Sequence, residues 1–129
     1  MLSRKKILIV EDNPLNLKLI KDIIDSIGYQ AIPLNCGKDV IINARKHNPD
    51  LILLDLHLPD VHGFSLLEML RDNNLQDIPV IAISALAKLE DKSRAKELGC
   101  IDYLVKPISI DKFIERLNVF FTRQEEHVA

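Results

Sequence analysis

The sequence predicts a doubly wound α/β domain, a mostly parallel sheet with helices on both faces. Three observations point there. Short apolar runs and longer segments of helical periodicity alternate five times along 129 residues. The runs are nearly continuous in apolar residues, as strands buried on both faces are. Four of the runs also end in reactive groups. Ile7-Leu8-Ile9-Val10 leads into Glu11-Asp12, Leu51-Ile52-Leu53-Leu54 into Asp55, Val80-Ile81-Ala82-Ile83 into Ser84-Ala85, and Tyr103-Leu104-Val105 into Lys106-Pro107. In an open parallel sheet the carboxyl edge of the strands is where ligand sites form.

Each element has a local reason. Lys6–Val10 is the first strand. Asn13 is placed to cap the following helix, and Pro14 suits its first turn. Leu15, Leu19, Ile20, Ile23, Ile24 and Ile27 recur at helical spacing as its inward stripe, and Gly28 ends it. Tyr29–Leu34 reads as the second strand. Lys38–Lys46 reads as a helix with Val40, Ile41 and Ala44 inward, stopped by Asn48-Pro49. Leu51–Leu54 is the third strand, followed by a turn-rich loop with Pro59, Asp60 and Gly63. Phe64–Arg71 is a helix with Leu67 and Leu70 on one face. Pro79–Ile83 is the fourth strand, and Lys88–Leu98 is a weak, polar helix ending at Gly99. Asp102–Val105 is a short last strand. Ser109 caps a final helix whose stripe is Phe113, Ile114, Leu117, Phe120 and Phe121, and the polar tail from Gln124 to Ala129 is expected to fray.

The chain is long enough for one domain with a real core. Apolar residues at 47% and charged residues at 28% fit a soluble globular protein. The net charge of −2 comes from mixed signs, without the clustered Lys/Arg of a nucleic-acid footprint. Arg4-Lys5-Lys6 runs straight into a strand, and no apolar stretch approaches membrane-spanning length, so the expected location is the cytoplasm, with no membrane insertion. Cys36 and Cys100 lie far apart and fit no metal spacing. They read as reduced thiols.

Glu11, Asp12 and Asp55 are three carboxylates expected at one edge. Two unit charges ~4 Å apart repel by about 4 kcal/mol at an effective dielectric near 20. Hard oxygen ligands with room for water suit Mg²⁺, which would also offset charge on a phosphoryl group. The blander reading of a lone Glu-Asp pair, two acids facing water at a loop start, loses weight beside Asp55 and Lys106. Asp55 is the proposed nucleophile, since an aspartate can form an acyl phosphate; alone, it would more often be a turn or cap residue. Lys106 is a point charge for a phosphate or carboxylate oxygen, or merely a solvated lysine before a helix-entry proline. A cis Lys106–Pro107 bond would aim it inward. Ser84 offers a hydroxyl donor and Ala85 an open backbone N–H, both suited to developing charge, although a serine ending a strand is commonly just a turn residue. His57 and His62 read as solvent-facing loop residues, neither at transition-metal spacing; the backbone carbonyl of His57 could still reach a metal. Tyr103 can be inward and buried or outward and exposed; the blander reading is a half-buried edge tyrosine.

Together these motifs resemble the receiver domain of two-component response regulators, from about residue 5 to about residue 122. The resemblance rests on Glu11-Asp12-Asn13, Asp55-Leu56-His57-Leu58-Pro59 with Gly63, Ser84-Ala85, Tyr103 and Lys106-Pro107. It implies a flavodoxin-like (βα)5 three-layer sandwich with strand order 2-1-3-4-5. It implies that Asp55 takes a phosphoryl group from a phosphohistidine on a sensor histidine kinase or histidine phosphotransfer protein. Mg²⁺ would be held by Glu11, Asp12, Asp55 and the His57 carbonyl. Lys106, Ser84 and the Ala85 amide would contact the phosphoryl oxygens. Ser84 and Tyr103 would act as the switch, reshaping the face of the fourth helix, fifth strand and fifth helix for a downstream protein. The chain departs from the usual threonine at position 84, and His57 and Leu86 occupy variable positions along the route of attacking water.

The receiver reading spans residues 1–123 with no output domain, so the chain is expected to act alone, by binding partners. Glu11-Asp12-Asn13 followed by Asn16, and the stretch from Gly99-Cys100 to Lys106-Pro107-Ile108-Ser109, look like the DivK type, single-domain regulators of bacterial cell division. Chemotaxis-type regulators, phosphorelay intermediates and a phosphorylation-independent binding module are the alternatives. A haloacid-dehalogenase-type phosphatase would need an acid at position 57, where this chain has histidine. Flavin or nucleotide binding would need a glycine-rich cradle in place of Glu11-Asp12-Asn13-Pro14. The chain is therefore expected to catalyse only its own phosphorylation and dephosphorylation.

Overall fold

A computed structural model describes residues 4–128. Five strands and five helices alternate: β1 Lys6–Val10, α1 Pro14–Ser26, β2 Gln30–Leu34, α2 Val40–His47, β3 Leu51–Asp55, α3 Gly63–Asp72, β4 Val80–Ser84, α4 Leu89–Glu97, β5 Cys100–Val105 and α5 Ile110–Val128. All pairings are parallel and the order is β2-β1-β3-β4-β5. This is the doubly wound arrangement expected.

The strand alternation divides the core in two. Ile7, Ile9, Leu51, Leu53, Ile81 and Ile83 pack with α1 and α5 through Ile20, Ile24, Phe113, Leu117 and Phe121. Leu8, Val10, Ile52, Leu54, Val80 and Ala82 pack with α2, α3 and α4 through Val40, Ala44, Leu66, Leu67, Leu70 and Ala95. Every residue of β3 and β4 is buried, and full burial of one such apolar side chain is worth about 1.5–3 kcal/mol. The reactive edge is therefore mounted on the most protected part of the chain.

Several boundaries differ from the sequence reading. On α1 only Ile20 and Ile24 are buried, while Leu15 is 78% and Leu19 49% exposed. The helix has one core face, and the two leucines lie beyond it. β2 begins at Gln30, and Tyr29 instead packs its ring at a tilt of 35° against Phe121, with centroids 4.6 Å apart. α2 starts at Val40 and ends at a left-handed Asn48. β5 begins two residues earlier than expected, at Cys100. α5 continues through Val128, so the tail expected to fray from Gln124 is helical that far; Ala129 lies outside the described residues. Among the described residues no helix is long and apolar enough to cross a membrane. Both cysteines are free, and burial pushes the Cys100 thiol up to about 12.

Candidate phosphoryl and metal site

At the C-terminal edge, single backbone hydrogen bonds extend the ladder just past the strands and anchor the first residues of the loops. Glu11 N donates to the Leu34 carbonyl at 3.1 Å, Leu56 N to Ile83 at 3.0 Å, and Lys106 N to Ser84 at 2.8 Å. Asn13 caps α1 as its sequence position suggests, its side-chain oxygen accepting from Leu15 N and Asn16 N. The loop after β3 is pinned at several points. The Asp60 carboxylate accepts from Gly37 N and Lys38 N at 3.0 and 2.9 Å, which holds its pKa below the ordinary carboxylate range. His57 and His62 form an antiparallel bridge. His62 Nδ1 accepts from Phe64 N at 3.3 Å and caps α3.

Within this frame three carboxylates and one ammonium converge. Oxygens of Glu11, Asp12 and Asp55 lie within 4.8 Å of one another. Lys106 Nζ donates to Asp55 Oδ2 at 2.8 Å and lies 3.1 Å from Glu11 Oε2. Asp55 Oδ1 accepts from His57 N at 2.9 Å. Asp55 and Glu11 are buried, whereas Asp12 is exposed. The Lys106–Pro107 bond is cis.

With all four groups ionised the cluster carries two negative charges in excess. Burial pushes the Glu11 carboxyl above its ordinary value, against the pull of Lys106, and the neighbouring Asp55 pushes the same way. Burial alone would lower the Lys106 ammonium, but its hydrogen bonds to Asp55 and Glu11 outweigh this and hold it above its usual value. Glu11 Oε2 is buried and accepts no hydrogen bond, its 3.1 Å contact with Lys106 Nζ being an ion pair only. Such an atom costs free energy unless something satisfies it. Hard anionic oxygens, one buried and unsatisfied, fit a divalent cation of the Mg²⁺ type.

The hydroxyl side of the site is built by β4 and β5. Ser84 is fully buried and its Oγ accepts from Leu86 N at 3.0 Å. Ala85 and Leu86 are exposed. Tyr103 is half-buried, as the edge-tyrosine reading has it, and its hydroxyl donates to the Leu86 carbonyl at 2.9 Å. His57 and His62 face solvent as expected. The capping role of the His62 ring and the strap formed by Asp60 were not drawn from the sequence. A capping residue just before Gly63 was the available signal for the first.

Residues 7–118 match the response regulator receiver domain family. The chain is 44% identical over 117 residues to the polar-differentiation response regulator DivK of Brucella ovis, covering 90% of this chain and 95% of that one. DivK of Brucella anthropi is similar to the same extent. Among solved structures, the receiver domain of Francisella response regulator 1452 is 34% identical with a TM-score of 0.87, covering 94% of this chain and 99% of that one. A CheY-like receiver domain protein of Methanospirillum hungatei is 26% identical with a TM-score of 0.88, covering 97% and 99%.

Proposed function

The chain belongs to the response regulator receiver domain family, and on that premise we propose that Asp55 accepts a phosphoryl group from a phosphohistidine on a sensor histidine kinase or histidine phosphotransfer protein. The observation that carries this is the pairing of a buried Asp55 carboxylate with Lys106 at 2.8 Å beside the unsatisfied Glu11 oxygen. An isolated buried anion would repel incoming phosphate. Here a cation is already on one oxygen, and the acid cluster has room for a second positive charge.

In the step proposed, an Asp55 oxygen attacks phosphorus as the P–N bond to imidazole breaks. The electron pair leaves with the imidazole nitrogen, which takes up a proton, and an acyl phosphate remains. Glu11, Asp12, Asp55 and the His57 backbone carbonyl would hold Mg²⁺, which when bound supplies charge to offset the acceptor and phosphoryl oxygens. Lys106 exchanges its Asp55 contact for a phosphoryl oxygen. Ser84 and the Ala85 amide donate to the others. Ser84 Oγ accepts from Leu86 N and keeps its hydroxyl hydrogen free to donate, so it can bind a phosphoryl oxygen while it holds Leu86. Leu86 is also the partner of Tyr103, so a shift of Ser84 toward the phosphoryl group carries Leu86 with it and reaches the face of α4, β5 and α5, where a downstream protein binds. The name of the Brucella relative supports a role in polar differentiation.

Intact mass after incubation with Mg²⁺ and acetyl phosphate, beside Asp55→Asn, tests this. A gain of one phosphoryl group in the wild type alone is expected. If neither acetyl phosphate nor a phosphohistidine donor adds mass, the acceptor role is wrong.

A further inference from the structure

We propose that Asp60 is a positioning residue of the metal site: by clamping two backbone amides of the loop between β2 and α2, it holds in place the loop that carries the His57 carbonyl. This rests on the reading that Glu11, Asp12, Asp55 and that carbonyl hold Mg²⁺. It adds a residue that acts on the ion from outside the acid cluster.

The first observation is how the loop between β3 and α3 is tied. The His57–His62 bridge and the bond from Gly63 N to the Leu56 carbonyl close the loop on itself, and Leu56 N fastens its start to Ile83 of β4. These contacts set the shape of the loop. Its tip still needs an anchor toward β1 and β2, where Glu11 and Asp12 stand. Asp60 supplies one. Its two carboxylate oxygens accept separately from Gly37 N at 3.0 Å and Lys38 N at 2.9 Å, across 23 and 22 residues. Among the described residues these are the hydrogen bonds that reach from residues 57–62 to a segment beyond β3 and α3. Bonds from backbone N–H to an ionised carboxylate are roughly twice as strong as neutral ones. Glu11 N in turn is bonded to the Leu34 carbonyl at the end of β2. A closed circuit thus runs from Glu11 through Leu34 to Gly37, across to Asp60, and back through His57 to Asp55. It braces the acids of β1 against the loop after β3.

The second observation is packing behind the clamp. A Cβ on Gly37 would lie 3.0 Å from Leu66 Cδ1, 3.1 Å from Val61 Cβ and 3.3 Å from Leu58 Cδ1. Leu58 and Leu66 are buried. The two loops therefore touch through apolar groups on one side while Asp60 joins them on the other, and interiors packed this closely transmit strain. Among the described residues no hydrogen bond is donated to the His57 carbonyl, so the loop alone sets its position. Contacts that orient metal ligands without touching the ion are commonly worth about 10–100-fold in affinity. Asp60 is not one of the three clustered acids, so its influence travels through the loop.

The test follows Mg²⁺ titrations of the isotope-labelled full chain by NMR, read at the amides of residues 11–13 and 55–57. Asp60→Asn keeps the side-chain size but puts an NH₂, which cannot accept, where one amide now donates. It also removes a charge. The ratio of variant to wild-type affinity is therefore compared at about 0.15 M and about 1 M salt, where the Debye length falls from ~8 to ~3 Å. Asp60→Asn is expected to weaken Mg²⁺ about tenfold at both, with the rest of the amide spectrum folded. Linkage requires the ion to tighten the clamp in return. In the wild type, saturating Mg²⁺ should slow exchange of the Gly37 and Lys38 amides, an effect that a merely structural brace would not show. The proposal is overturned if Asp60→Asn binds Mg²⁺ as the wild type does, if its deficit vanishes at high salt, or if Mg²⁺ leaves exchange at Gly37 and Lys38 unaltered. In each of these cases the wild-type titration still stands, and with it the metal reading. A wild type without saturable shifts at residues 11–13 and 55–57 removes the metal reading and the clamp together. Where Asp60→Asn does not fold, Gly37→Ala takes its place with no charge changed: weaker Mg²⁺ binding is expected, and wild-type affinity overturns the proposal.

Discussion

The Tyr103 hydroxyl donates to the Leu86 carbonyl at 2.9 Å, while the Leu86 amide donates to Ser84 Oγ at 3.0 Å. One residue of the loop before α4 is thus held by the buried hydroxyl of β4 and by the ring of β5. Tyr103→Phe keeps the ring and removes one tie. The expected cost is about 0.5–1.5 kcal/mol, with faster amide exchange over residues 85–88. Unchanged exchange there would mean that Ser84 alone holds the loop.

Glu11→Gln should stabilise the protein at neutral pH in the presence of a chelator. The Glu11 carboxyl is raised in the folded state, first by burial, so the folded chain binds the proton more tightly than the unfolded one. Its contribution is favourable below the ordinary carboxyl value of 4.5 and is lost as pH rises through the folded value. Denaturant titrations across this range should show the advantage of Glu11→Gln growing with pH and vanishing in acid. A constant difference at all pH values would contradict the sign.

Magnesium should raise the wild-type melting temperature. A ligand at a hundredfold excess over its dissociation constant contributes about 2.7 kcal/mol. Asp12→Ala, at an exposed position of the acid cluster, should keep its melting temperature in chelator and lose most of the response to the ion. An equal response in both proteins would place the cation elsewhere.

Gly63→Ala should destabilise through contact rather than conformation. A Cβ at Gly63 would meet Leu56 Cα at 2.5 Å, and overpacking of this kind costs about 1–3 kcal/mol. Gly28 is the opposite case. Its φ is +97° and nothing lies within 4 Å of a Cβ there, so Gly28→Ala meets only the backbone cost of roughly 1–2 kcal/mol. Chemical denaturation should show both losses. Only Gly63→Ala should also shift NMR signals of the Asp55 loop.

Amides of α4 should exchange much faster than those of β1. Ala95 is the buried residue of α4, whereas Ile7 to Val10 are all buried. The Arg94 guanidinium, 4.5 Å from the Phe64 ring centre, is one of its few tertiary ties. Equal protection of the two elements would show that α4 opens only with the whole domain.

The parts of the fold legible in the sequence are those set by local chemistry. Apolar runs marked β1, β3 and β4, Asn13 marked a cap, and reactive groups came at the strand ends or directly after them. What escaped depends on distant partners. Leu15 and Leu19 share the spacing of Ile20 and Ile24, yet the core ends before reaching them. The bulge of β5 at Ile101 is a property of two strands. The hydrogen bond from Tyr103 to Leu86 crosses between elements, so the half-buried edge tyrosine was legible but its partner was not.

The anchoring of this edge is unequal. Glu11 and Asp55 are buried where strands packed on both faces end, while residues 85–94 are exposed throughout apart from half-buried Asp91. The acidic half is thus a fixed datum, and displacement of the other half is measured against it. Substitutions between Ala87 and Leu98 can retune the output of such a device, its gain, threshold or choice of listener, without recalibrating its input.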